Sequence, residues 1–281
     1  MTAHAEFLRA ATDNELLARR MKADFRQAGL SPRDRTMLEF VDALSHAPWV
    51  LNPAGLEGLE RAGFREEEIL HVVLGCAHFN YLNRMADGLG IRFEYESPLP
   101  AFRPREAGPR PAPPPPVLDP GADGPEDEAG AFYRVLAGNP EACALASKWR
   151  AFQFRPTPGL PAVTRFRIAL FVSSLDRCPA GYRSYRRSLA QLGDDAAFGE
   201  ALNRGQVPAG LPPGERLLLE HAARLTERPW TARKEHLDAL RPEGLDDRGI
   251  LQLTMLVSYL SFESRVALGL GREGVSLPPS S

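Results

Sequence analysis

Leu30–Ser31–Pro32–Arg33–Asp34–Arg35, running through Pro48–Trp49 and Gly63 to Arg84–Met85–Ala86–Asp87–Gly88–Leu89–Gly90, decides the reading of this chain because it occurs twice. Adding 181 to each number gives Leu211–Pro212–Pro213–Gly214–Glu215–Arg216, then Pro229–Trp230, Gly244, and Arg265–Val266–Ala267–Leu268–Gly269–Leu270–Gly271. About eighteen of roughly sixty positions are identical without a gap, a period that indicates duplicated domains and not a solenoid of short repeats.

Around this pair the chain reads as helical throughout. Residues 4–28 carry Phe7, Leu8, Leu16, Leu17, Met21 and Phe25 with few breakers, and Gly29 supplies a stop. Ser31–Pro32–Arg33–Asp34 has the form of a helix N-terminus, with a capping side chain and a proline at the first helical position. Pro48 stops that helix, Asn52–Pro53 starts a short one, and Gly63 ends it. From Glu66 to Leu89 apolar residues lie on most faces, as expected for a helix in the middle of a bundle or in an interface. A proline-rich, then acidic, stretch over 97–128 reads as an extended linker between a unit at 1–96 and a unit at 129–273, with a tail at 274–281. No alternating strand pattern appears, so the expected fold is all-α.

A net charge of −2 over 281 residues gives no electrostatic footprint for nucleic acid or an anionic membrane. The N-terminus shows no signal-peptide pattern, and the longest apolar run, Ile250–Leu260, falls short of the roughly 20 residues a membrane span needs. Three scattered cysteines make no disulfide framework. The expectation is a cytoplasmic protein with neither membrane nor nucleic-acid partners. His71 and His78 share a helix face, but no third ligand stands at metal spacing, so they and Cys76 read as core or interface packing. No glycine-rich nucleotide loop is present, and neither cofactor nor metal is expected.

Leu170–Phe171–Val172–Ser173–Ser174 before Cys178, Leu225–Thr226–Glu227–Arg228–Pro229, and the closing Ser261–Phe262–Glu263–Ser264–Arg265 through Gly271 together resemble the alkylhydroperoxidase D-like, or carboxymuconolactone decarboxylase-like, family, nearest its peroxidase-related branch. Phe79–Asn80–Tyr81–Leu82–Asn83–Arg84 through Gly90 carries the same resemblance in the first unit. The resemblance implies two helical units of that fold, the first without its N-terminal helices. It also implies thiol-dependent peroxide reduction, with a small peroxide and a thiol reductant as partners, and assembly into homo-oligomers or, for a tandem chain, an intramolecular pseudo-dimer. The helices Glu66–Leu89 and Ile250–Leu268 are the candidates for that contact.

Redox-active members of the family place Cys-x-x-Cys-x-x-x-His after a glutamate. One thiolate attacks the peroxide, the second resolves the sulfenic acid, and His and Glu move protons. Here Cys178 holds the first cysteine position, while Gly181, Tyr185 and Phe166 stand at the second cysteine, the histidine and the glutamate. In the first unit the 181-residue shift sets His4 on Tyr185 and places the second cysteine one residue before Met1. Either the gene start lies downstream of an intact site or this copy is shortened. Cys178 and His4 are thus the candidate catalytic residues, each with a competing reading: a structural thiol and a terminal histidine. Two further function classes stay open, a non-catalytic scaffold or regulatory partner and a non-redox lyase. For the lyase, His71, His78 and Glu263 form no recognisable set.

Overall fold

The structure, a computed structural model, describes residues 2–51, 53–91, 140–193, 197–203, 206–208 and 210–271. The expected linker at 97–128 and the tail at 274–281 lie outside the described residues. Among those residues the chain is all-α: twelve helices, three short 3-10 turns and no strand.

The first part runs α1 (Thr2–Thr12), α2 (Glu15–Asp24), α3 (Pro32–His46), α4 (Pro53–Arg61) and α5 (Glu66–Leu89). The second runs α6 (Pro140–Gln153), α7 (Ala162–Leu175), α8 (Pro179–Gln191), α9 (Ala197–Asn203), α10 (Pro213–Glu227), α11 (Lys234–Asp238) and α12 (Asp247–Leu270). The 181-residue shift carries α3 onto α10, the turn Pro48–Val50 onto Pro229–Thr231, and α5 onto α12, end for end. Gly63 and Gly244 recur with φ of 87° and 93°, a left-handed conformation at the same place in each copy that only glycine adopts freely.

Local chemistry explains the boundaries. Ser31 accepts a hydrogen bond from the Asp34 N–H at the start of α3 and has Pro32 behind it, which satisfies one of the free donors of the first turn. The single helix expected over 4–28 is instead broken into α1 and α2. Asp13 takes φ 48° and Asn14 caps α2 by accepting from the Leu17 N–H, so the Asp–Asn pair competes with the helix through its own side chains. A fully buried Arg165 fixes the turn between α6 and α7, donating to the carbonyls of Gln153 and Leu160 and to the Thr157 hydroxyl.

α3, α4 and α5 bury Phe40, Leu44, Leu56, Leu59, Phe64, Ile69 and Val73 in one core. A larger core in the second part is built from α7, α8, α9, α10 and α12. α5 and α12 lie against each other and join the two. His71 and His78 do not pack in either core. They are exposed, because α5 gives one side to α3, another to α12 and leaves a third to solvent.

The joint between α5 and α12 is reciprocal at the level of single atoms. Arg84 donates to the main-chain carbonyl of Thr226 at 3.0 Å, and Arg265 donates to that of Ser45 at 2.9 Å. The numbers are related by 181 on both sides. Each arginine also donates to the carbonyl four residues before it, Arg84 to Asn80 and Arg265 to Ser261. Both guanidinium groups are buried. Burial and repulsion from Arg265 lower Arg84 to about 9, while Asp176 and Asp87 pull it up. Asp176 sits 3.8 Å from Arg265 and gives this positive pair its buried carboxylate.

Candidate functional site

Cys178 caps the N-terminus of α8, with its N–H donating to the Ser173 carbonyl and Pro179 following at the first helical position. Arg177 before it takes φ 49° and lays its guanidinium 4.8 Å from the ring centre of Trp49. A helix N-terminus favours a thiolate in the open. Here burial outweighs it: Cys178 is 1% exposed, and desolvation, with the charges of Asp176 and Glu263, pushes the thiol up to about 12 against hydrogen bonds from the Gly181 N–H and Ser264. At neutral pH the sulfur is a protonated, sheltered thiol.

The position of the second cysteine is filled by other atoms. A β-carbon on Gly181 would lie 2.7 Å from the Ser173 hydroxyl and 3.6 Å from the Cys178 sulfur. A side chain there has to displace the serine hydroxyl. His4 falls on α1, and its side chain lies outside the described residues. α1 meets α2 through the buried pair Ala5 and Ala18. The other two cysteines are also reduced: Cys76 is buried beside Ser45, whose hydroxyl lies 3.3 Å from its sulfur, and Cys143 on α6 is partly buried. Desolvation raises the Cys76 thiol as well.

Tyr185, at the histidine position, forms the centre of a polar cluster. Its hydroxyl donates to the carboxylate of Glu263 on α12. Arg150 on α6 donates to Glu263 at 2.8 Å and to the Tyr185 oxygen at 3.0 Å, and the Tyr259 hydroxyl approaches the same carboxylate at 3.3 Å. Phe154 stacks on the Tyr185 ring at a centroid distance of 5.5 Å and Phe166 lies tilted to it at 6.3 Å, so the residue at the glutamate position now forms part of an aromatic wall. Burial, then the Glu263 charge, holds the Tyr185 hydroxyl well above its ordinary value. For Arg150 burial works against the charge, but Tyr185, Glu263 and Tyr259 outweigh it and hold the guanidinium protonated.

Three side chains, Arg150 from α6, Tyr185 from α8 and Tyr259 from α12, thus converge on one carboxylate. The arrangement holds a proton on Tyr185, which the hydroxyl donates to Glu263. It also ties α6 to the bundle, since Trp149 next to Arg150 packs edge-on against Tyr259 and against Tyr81 of the first copy. Sequence reasoning placed Tyr185 and Glu263 without joining them. The available signal was Glu263 itself, a carboxylate inside an otherwise apolar helix, which requires a partner when buried.

Among the described residues there is no group of three or more His, Cys, Asp or Glu side chains placed to hold a metal ion. Among the described residues, too, no helix is long and apolar enough to cross a membrane. No protein-family model, no curated protein and no solved structure matches the chain.

Proposed function

We propose that the chain is a thiol-silent member of the alkylhydroperoxidase D-like lineage, in which the helical scaffold is retained as an intramolecular pseudo-dimer and thiol peroxidase activity through Cys178 is weak or absent. The observation that carries this reading is the state of Cys178: buried, protonated and without a second sulfur, since the space at Gly181 holds the Ser173 hydroxyl. A peroxidatic cysteine requires an accessible thiolate and a resolving thiol. In this reading the working role is that of a scaffold or regulatory partner.

The test is peroxide consumption by the purified chain, with hydrogen peroxide and an organic hydroperoxide as oxidants and dithiothreitol or dihydrolipoamide as reductant. The expected rate equals that of the reductant alone, and Cys178→Ser leaves it unchanged. Turnover that disappears in Cys178→Ser overturns the proposal.

A second reading, acid–base chemistry on a small molecule without thiol involvement, is favoured by the Tyr185–Glu263–Arg150 cluster. It is supported by Tyr185 standing at the proton-moving position of the motif. Small-molecule binding that perturbs Tyr185 and is lost in Tyr185→Phe, with the fold intact by circular dichroism, separates it from the scaffold reading.

A further inference from the structure

Trp149 on α6 is wedged between aromatic rings of both copies. It lies edge-on to Tyr81 of α5 with ring centres 5.1 Å apart, and edge-on to Tyr259 of α12 at 4.9 Å. The 181-residue shift sets His78 on Tyr259 and Tyr81 on Phe262, so the indole bridges corresponding places on the two long helices. Outward from Tyr81, the exposed His78 stacks on its ring at 6.5 Å. Inward, the hydroxyls of Tyr259 and Tyr185 both donate to Glu263. A run of rings thus leads from the surface at α5 to a buried phenol that is hydrogen-bonded to a carboxylate.

Tyrosine and tryptophan lose an electron more readily than phenylalanine, and a phenol that loses one also sheds its proton. A buried phenol needs an acceptor at hand to do so, because a charge left in the interior is costly. Tyr185 has that acceptor in Glu263. Neither the Tyr81 hydroxyl nor the Trp149 N–H makes a hydrogen bond among the described residues. Phe154 and Phe166 against Tyr185, and Phe262 against Trp149, wall the run with rings that resist oxidation.

We propose that Tyr185 is a reversible radical site, from which Tyr259, Trp149 and Tyr81 conduct an electron to an outer-sphere one-electron oxidant at the surface beside His78. The balance is one electron and one proton. The Tyr185 O–H bond breaks, and its proton passes along the existing hydrogen bond to Glu263. Its electron leaves through the three rings, and the oxidant is reduced by one electron. Arg150 stays protonated and keeps donating to the Tyr185 oxygen. An outer-sphere one-electron reductant reverses both transfers. No step involves Cys178.

The experiment uses the full chain with His78→Cys and Cys143→Ser, carrying a ruthenium polypyridyl photosensitiser at position 78. A flash with a sacrificial cobalt(III) acceptor generates ruthenium(III), and electron paramagnetic resonance and transient absorption follow the product. A tyrosyl radical is expected, together with a protonated-carboxyl band in the infrared difference spectrum. Both are lost in Tyr185→Phe, which removes a single hydroxyl. Both are lost in Trp149→Phe, which keeps a ring in the same place, and return in Trp149→Tyr; a merely structural role for the indole does not separate these two variants. The proposal is overturned by a tyrosyl signal that survives Tyr185→Phe or Trp149→Phe, or by ruthenium(III) that decays in the labelled chain without forming a tyrosyl radical.

Discussion

Gly88 on α5 lies so close to Thr254 on α12 that a β-carbon on the glycine would come within 2.8 Å of the threonine Cγ2. In the same seam a β-carbon on Gly269 would come within 2.9 Å of Val73 Cγ1, and 73 and 254 are again 181 apart. Two long helices meet here with a glycine from each set into the other.

Substitution at this point therefore tests the seam directly. Gly88→Ala gains up to about 1 kcal/mol of helix propensity but forces an overpacked contact that costs about 1–3 kcal/mol. The expected net result is a lower urea midpoint with the slope unchanged. Thr254→Ser removes the offending methyl while its hydroxyl can keep the bond to the Ile250 carbonyl. In that background Gly88→Ala is expected to recover at least half of the loss. Equal losses in both backgrounds contradict the contact.

The two buried arginines are expected to differ in their effect. Arg265 carries the ion pair with Asp176, so Arg265→Met takes a positive charge from beside a buried carboxylate, a change that costs about 3–5 kcal/mol. Arg84→Met removes hydrogen bonds to neutral groups and relieves the repulsion that lowers Arg84, with a cost of about 1–3 kcal/mol. Denaturant unfolding of both variants and of the double variant measures the order and the coupling. An Arg84→Met loss larger than that of Arg265→Met contradicts this account.

The space at Gly181 makes the thiol chemistry recoverable by design. Gly181→Cys alone collides with Ser173, whereas Gly181→Cys with Ser173→Ala opens room for a sulfur beside Cys178. Mild oxidation of the double variant is expected to give a disulfide between 178 and 181, seen as a 2 Da loss in the corresponding peptide. In the unaltered chain, a thiol reagent is expected to modify partly buried Cys143 first and to reach Cys76 and Cys178 only on unfolding.

His221 gives the clearest pH dependence. It stands where the first copy has Phe40, is buried, and neither ring nitrogen has a hydrogen-bond partner. Burial, with help from Arg224 and His236, lowers it from the usual 6.5 to about 4. The folded value is depressed, so the unfolded chain takes up a proton first as pH falls. Stability contributed by the neutral ring is complete above about 6.5 and is lost progressively toward about 4. His221→Phe, the residue of the other copy, is expected to flatten the stability profile across that window. Parallel profiles for the two proteins exclude the assignment.

The backbone punctuation was legible in the sequence because its causes are local. Ser31–Pro32, Gly63 and Gly244 act within a turn of the chain, and the element bounds of α3 and α5 followed from them. The break at Asp13–Asn14 is not legible because neither residue breaks a helix by composition alone; it needs a left-handed Asp and a capping Asn acting together. The site was not legible for a different reason. Tyr185 meets Glu263 across 78 residues and Arg150 meets it across 113, and the first copy has Leu82 where the carboxylate should be. Repetition therefore revealed the shared frame and hid the chemistry carried by one copy only.

The reciprocal joint has one more consequence, for inheritance. In an assembly of identical chains, a codon change at a twofold seam enters on both sides together and must be tolerated in double measure. Within a single chain each side mutates by itself. The two sides here have already drifted: Asn80 reaches across to the Ser45 hydroxyl at 3.0 Å, while their counterparts are Ser261 and Thr226. The arginine bonds that close the joint go to main-chain carbonyls, which no substitution removes, so the residues that accept them can change singly while the clasp holds.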